Sequence, residues 1–144
     1  MDETDRAIIA ELVADGRASF AEIGARVSLS APAVKRRVDR LRAAGVIKGF
    51  TAVVDPAAAG GTTEAFVELF CKGRTTPAQI AAAARRHPEI IAAYTVTGEA
   101  DALVHLRATD IRHLEQALER LRAEGFVTST RSMVVLSRLL DGPV

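Results

Sequence analysis

From Ser30 to Phe50 the chain reads SAPAVKRRVDRLRAAGVIKGF, and this stretch constrains what can be built around it. Ser30 can cap a first helical turn through its hydroxyl, and Pro32 is tolerated there because first-turn amides have no intrahelical partner. Val34, Val38 and Leu41 recur at spacings of four and three, which places them on one helix face. Lys35, Arg36, Arg37, Arg40 and Arg42 take the rest, opposed only by Asp39. Gly45 then stops the helix, as a residue tolerant of positive φ does. A short helix with one apolar stripe and a basic remainder fits the DNA major groove, with its N-terminal residues nearest the bases. A solvated, arginine-rich surface helix is the competing reading of this segment alone.

The preceding residues favour the groove. Residues 2–15 open with acidic side chains, which oppose the helix dipole, and carry Ile8, Ile9, Leu12 and Val13 as an amphipathic stripe ending at Gly16. Ser19 and Glu22 stand three apart as a capping box for a second helix, whose inner face is Phe20, Ile23 and Val27. Ser28 and Leu29 form the turn before Ser30. Three short helices, the last two joined by a tight turn, make a helix-turn-helix unit. Past Gly45, Val46, Ile47, Phe50, Ala52, Val53 and Val54 are β-prone and read as a short wing or linker strand. DNA contacts are expected from Ser30, Pro32, Ala33, Lys35, Arg36, Arg37 and Arg40. Arg17 is expected to contribute from the turn before the second helix. Arg37 adjoins the apolar stripe and is also placed to make intramolecular contacts.

Composition bounds the remainder. With 49% apolar and 26% charged residues, the 144-residue chain is that of a soluble globular protein of one or two small domains. Its net charge is only +1, so the positive charge is local to the third helix, which argues for a directed anionic partner. The single cysteine, Cys71, excludes an intrachain disulfide. The acidic N-terminus does not read as a signal peptide and no apolar run is long enough to span a bilayer, so a cytoplasmic protein without membrane partners is expected.

Asp55, Pro56, Gly60 and Gly61 interrupt the periodicity, giving a domain over residues 1–54, a linker over 55–62 and a second domain over 63–144. Residues 63–71 are strand-like, with Phe66 and Phe70 on one face and Val67, Leu69 and Cys71 on the other. Pro77 begins a helix with Ile80, Ala81 and Ala84 inward. Residues 90–97 and 102–108 are strands joined by the turn Gly98–Asp101. Asp110 caps a helix carrying Ile111, Leu114, Leu118 and Leu121, Gly125 ends it, and residues 126–136 form the last strand. The fold class is therefore α+β, a tri-helical (winged) helix-turn-helix domain followed by a ferredoxin-like βαββαβ domain. Such a domain leaves one sheet face uncovered. Strands apolar on both faces then call for a partner, expected to be a second copy of the chain.

In this order the motifs resemble the Lrp/AsnC (feast/famine) family of transcriptional regulators along essentially the whole chain. The resemblance is carried by Asp2-Glu3-Thr4-Asp5 through Leu12, Gly16-Arg17-Ala18-Ser19, Leu29-Ser30 and Arg36-Arg37-Val38. It continues through Arg40-Leu41, Gly45 to Phe50, Val96-Thr97-Gly98-Glu99-Ala100-Asp101, and Gly125 with Val134-Val135-Leu136. It implies a sequence-specific regulator of double-stranded DNA whose binding or assembly responds to a free amino acid held between subunits of a homodimer. Whether dimers assemble into octamers stays open. The implied effector site comprises Thr97, Gly98, Glu99, Ala100 and Asp101, joined by Ser129 and Arg131 of the last strand. Gly98 would let backbone amides approach a carboxylate, and Glu99 or Asp101 could meet an ammonium group. Gly98 and Asp101 also serve simply as turn formers. Ala100 is smaller than the residue the family often carries. The family's two threonines of the last strand match Thr128 and Thr130 only after a one-residue shift from Ser129 and Arg131, and such a slip reverses which side chains share a face.

Catalysis is not expected. His87, His105 and His113 lack helical metal-pair spacing, and no nucleophile elbow, Walker loop or dinucleotide fingerprint is present. No cofactor or metal is expected beyond the small effector. The alternative to an effector-responsive regulator is an architectural protein that coats DNA through phosphate contacts without a ligand switch.

Overall fold

A computed structural model describes residues 1–140, which form two compact units, Met1–Val53 and a second beginning at Val54. The last four residues of the expected second domain lie outside the described residues.

The first unit contains α1 (Glu3–Ala14), α2 (Phe20–Val27) and α3 (Ala31–Ala43). Each start is capped. Asp2 and Asp5 form a capping box at α1, Ser19 and Glu22 another at α2, and the Ser30 hydroxyl accepts from Ala33 N at 3.4 Å at α3. The core is Ile8, Ile23, Val34 and Val38, with Leu12, Phe20, Leu29 and Ile47 packed against it. One expectation for α1 is corrected. Val13 is 65% exposed, because the buried stripe of α1 is Asp5, Ile8 and Leu12. As expected, α1 closes just before Gly16, with Asp15 as an extended C-cap. Gly45 closes α3, at φ +71°: Val46 N–H donates to Leu41 O and Gly45 N–H to Arg42 O, a Schellman closure. The β-prone run after it pairs with nothing. Residues 46–54 contain no strand, so there is no wing, and Phe50 instead lies beneath the Arg42 guanidinium at 6.0 Å. β-branched residues acquire strand geometry only when a neighbouring strand supplies the ladder.

The second unit is β1 (Thr63–Cys71), α4 (Pro77–Ala84), β2 (Ile90–Thr95), β3 (Ala102–Ala108), α5 (Ile111–Arg122) and β4 (Val127–Val134). The antiparallel sheet has the order β2-β3-β1-β4. Ala65, Val67 and Leu69 of β1 and Ala102, Val104, Leu106 and Ala108 of β3 are buried on one face, under Ile80, Leu114 and Leu121 of the helices. On α4 the inward residues are Ile80 and Ala83 rather than Ala84, and on α5 Ile111 is 62% exposed while Ala117 is buried. Small residues do not advertise their orientation by hydrophobicity, and Ala117 completes the stripe that Ile111 was expected to begin. Residues 55–61 form hydrogen-bonded turns, and Thr62 Oγ1 donates to Thr109 O beside them, so much of the expected linker is ordered within the second unit.

The other sheet face carries Phe66, Phe70, Tyr94, Leu103 and Met133, interleaved with charges. Glu64 accepts from Arg107 Nε at 3.2 Å and lies 2.8 Å from His105 Nε2; Arg131 pairs with Glu68 at 3.3 Å. The open face, expected to be apolar from strands apolar on both sides, thus mixes aromatic and charged side chains.

Candidate nucleic-acid interface and ligand-sensing turn

The basic residues of α3 differ sharply in how they are held. Lys35 pairs with Asp39 one turn on, at 2.6 Å, and stays exposed. Arg36 is exposed and makes no ion pair among the described residues. Arg37 is only 27% exposed, with Nη1 2.7 Å from Asp2 and 2.8 Å from Asp5. Of the two readings given for it, the intramolecular one is what the structure shows: the arginine that adjoins the apolar stripe is tied to α1. Arg40 is mostly exposed, yet its Nη2 donates to both Asp5 oxygens at 3.0 Å. Leu29, Ala33, Arg36, Arg37 and Arg40 line a groove of about 450 Å³ along the helix. Ser30 and Pro32 are exposed at its N-terminal end, and Arg17 is exposed in the turn before α2.

Asp5 is the residue that sequence reasoning missed here. Its carboxyl is 1% exposed and is held down to about pKa 2, first by the Asp2 backbone N–H and next by the Arg37 guanidinium. A signal existed. An acidic residue three before Ile8 and seven before Leu12 falls on the buried helix face and must have a charge partner there.

At the turn after β2, Gly98 has φ +106° and Thr97, Gly98 and Glu99 are exposed, whereas Ala100 is buried. The small Ala100 therefore fills space inside the unit and opens no wider pocket within one chain. Asp101 is a structural participant: its N–H donates to Leu69 O at 2.9 Å, and its Oδ2 accepts from Cys71 N at 2.7 Å. Burial, then the Asp101 carboxylate, pushes the Cys71 thiol up. Glu99 makes no hydrogen bond among the described residues and is the freer carboxylate of the two.

The last strand reaches the same end of the sheet. A bulge between Phe70 and Cys71 sets Ser129 opposite Phe70, Thr130 opposite Leu69 and Arg131 opposite Glu68. Ser129 and Arg131 thus lie on the uncovered face, Arg131 over the Phe70 ring at 5.5 Å. Thr130 points the other way along the alternation, its Oγ1 accepting from Arg122 Nε at 2.9 Å, whereas Thr128 is the extra residue of the bulge and its hydroxyl donates to Phe70 O at 2.8 Å.

Comparison with known proteins decides what these two units are. The AsnC-type helix-turn-helix domain matches residues 1–42, and the Lrp/AsnC ligand binding domain matches residues 64–144. The chain belongs to the Lrp/AsnC family. Among relatives, it is 57% identical to the HTH-type transcriptional regulator Rv2324 of Mycobacterium tuberculosis, over 98% of this chain and 95% of that one. Among solved structures it is similar to the feast or famine regulatory protein of M. tuberculosis complexed with L-methionine. That match has TM-score 0.90 and 35% identity, and covers 97% of this chain and 95% of that one. A transcriptional regulator of Neisseria meningitidis solved as its L-Met complex matches at TM-score 0.89 and 28% identity, covering 98% and 93%. This Lrp/AsnC protein is a DNA-binding transcriptional regulator with a ligand-binding domain, a non-enzymatic function. Among the described residues no helix is long and apolar enough to cross a membrane, and no cluster of side chains could hold a metal ion.

Proposed function

We propose that this regulator acts in the cytoplasm as a homodimer, whose hold on DNA is set by a free amino acid bound where the Gly98–Asp101 turn meets a second subunit. The observation that carries the reading is Gly98 itself. Its φ of +106° leaves the backbone open, with no atom within 4 Å of where a Cβ would stand, on a turn that one chain leaves exposed. A ligand carboxylate can approach backbone amides there, and Glu99 can meet the ammonium group. Asp101, committed to the Cys71 amide, shapes the turn. Thr97 and Ala100 complete it, and Ser129 and Arg131 border it from the open sheet face. The two relatives solved with L-methionine support an amino acid as the effector class.

The second copy is proposed to cover the mixed face of the sheet, where aromatic side chains supply area and the Glu68–Arg131 and Glu64–Arg107 pairs fix register. On DNA, Ser30, Pro32 and Ala33 approach the groove at the N-terminus of α3. Arg17, Lys35, Arg36 and Arg40 supply charge to phosphates and base edges.

A thermal-shift screen of the twenty amino acids on the full chain tests the effector reading, because a ligand bound only to the native state raises Tm. At least one amino acid should stabilise the wild type and alter its affinity for DNA by about 5- to 150-fold. Gly98→Val, which forces a β-branched residue into positive φ, should abolish that response while ligand-free DNA binding persists. A responding amino acid with an unaltered response in Gly98→Val moves the site elsewhere.

A further inference from the structure

Arg37 and Arg40 lie three apart on α3, so both reach the same neighbour. That neighbour is Asp5 of α1, which shows 1% of its surface to solvent. Its Oδ1 accepts from Arg37 Nη1 at 2.8 Å, and both its oxygens accept from Arg40 Nη2 at 3.0 Å. Its Oδ2 also accepts from Asp2 N at 3.0 Å, and Asp2 Oδ2 takes a second bond from Arg37 Nη1 at 2.7 Å. The capping box that starts α1 is therefore also the anchor of the helix that reads DNA. The two arginines are not held alike. Arg37 is shared between two carboxylates and is largely covered. Arg40 gives Asp5 one nitrogen, while its Nη1 and Nε make no bond among the described residues and the side chain is 62% exposed on the groove.

We propose that Asp5 is a positioning residue of the DNA interface: it withholds Arg37 from DNA and presents Arg40 with its remaining donors toward phosphate. The proposal rests on α3 being the DNA-contacting helix. A buried carboxylate neutralises charge that would otherwise bind any phosphate in reach, and it fixes one guanidinium plane in space. The number of phosphates the unit neutralises is then set from α1 as well as by the basic residues of α3.

The test is the salt dependence of binding of the full-length chain to a random-sequence duplex, followed by fluorescence anisotropy. Each phosphate contact contributes about 0.9 to the slope of log K against log salt. Asp5→Asn keeps an oxygen for the Asp2 amide but removes the charge. It removes one of the two carboxylates that hold Arg37, leaving only the exposed Asp2, and should steepen the slope by up to about one contact, so that a fourfold rise in salt costs up to roughly three- to fourfold more affinity than in the wild type. Arg37→Met removes a charge that the proposal keeps off DNA, and should leave the slope at the wild-type value. A folded Asp5→Asn variant, by far-UV circular dichroism, with an unchanged slope overturns the role given to Asp5. A slope about one contact shallower in Arg37→Met overturns it as well, and that arm decides the matter if Asp5→Asn does not fold. A wild type whose duplex binding ignores salt would remove the DNA-interface reading itself.

Discussion

Gly24 sits in the second helix where the chain doubles back through Ser28 and Leu29. A Cβ on Gly24 would lie 2.3 Å from the Leu29 carbonyl oxygen, which belongs to backbone and cannot rotate aside. Leu29 N–H in turn donates to Gly24 O, so the turn is bonded to the residue that makes room for it. Gly24→Ala should therefore destabilise the first unit by about 1–3 kcal/mol despite alanine's better helix propensity, as read by chemical denaturation. Asp5 makes the other prediction at this scale. Its folded pKa of about 2 lies below its ordinary 3.8, so the stabilisation it gives is present above the ordinary value. It is lost as pH falls through the folded value. The Tm difference between wild type and Asp5→Asn should hold steady above pH ~4 and shrink between pH ~4 and ~2. A difference independent of pH across that window would mean that the Asp2 amide and the two guanidinium groups do not hold the carboxylate ionised.

Among the elements, helix starts were the most legible, because capping is local chemistry. The box at α2 needs only two side chains three residues apart: Ser19 Oγ accepts from Glu22 N at 3.2 Å, and Glu22 accepts from Ser19 N at 2.7 Å. Ser19→Ala should cost about 1 kcal/mol in unfolding free energy and leave the Ile23 core contacts in place. Strand β4 is the opposite case. Its pairing partner begins 56 positions earlier in the register Cys71↔Val127 and is offset by a bulge, so counting forward from Gly125 places Ser129 and Arg131 without showing what they oppose. The run from Val46 to Val54 errs in the same direction. Strand propensity was present, and no strand came to meet it.

For the whole molecule, the split between a helical unit and a sheet unit assigns separate tasks that can be tested apart. Residues 63–144 carry the entire uncovered sheet face, and expressed alone they should sediment as a dimer at micromolar concentration. Residues 1–54 should be monomeric and bind DNA weakly, because joining two such units raises the effective concentration of the second at its half-site. A monomeric C-terminal fragment would contradict the dimer reading. The sequence by itself determined the helix-turn-helix unit, the βαββαβ order, the caps and the Lrp/AsnC resemblance, all of which follow from spacings within a few residues or from their order along the chain. Only the tertiary structure decided which charges are free. Arg36 and Arg37 are adjacent and chemically identical; helical spacing sets Arg37 beside the apolar stripe but does not name the partner that holds it. What separates them is Asp5, more than thirty residues away and buried, and a charge out of water is placed by the partner that neutralises it.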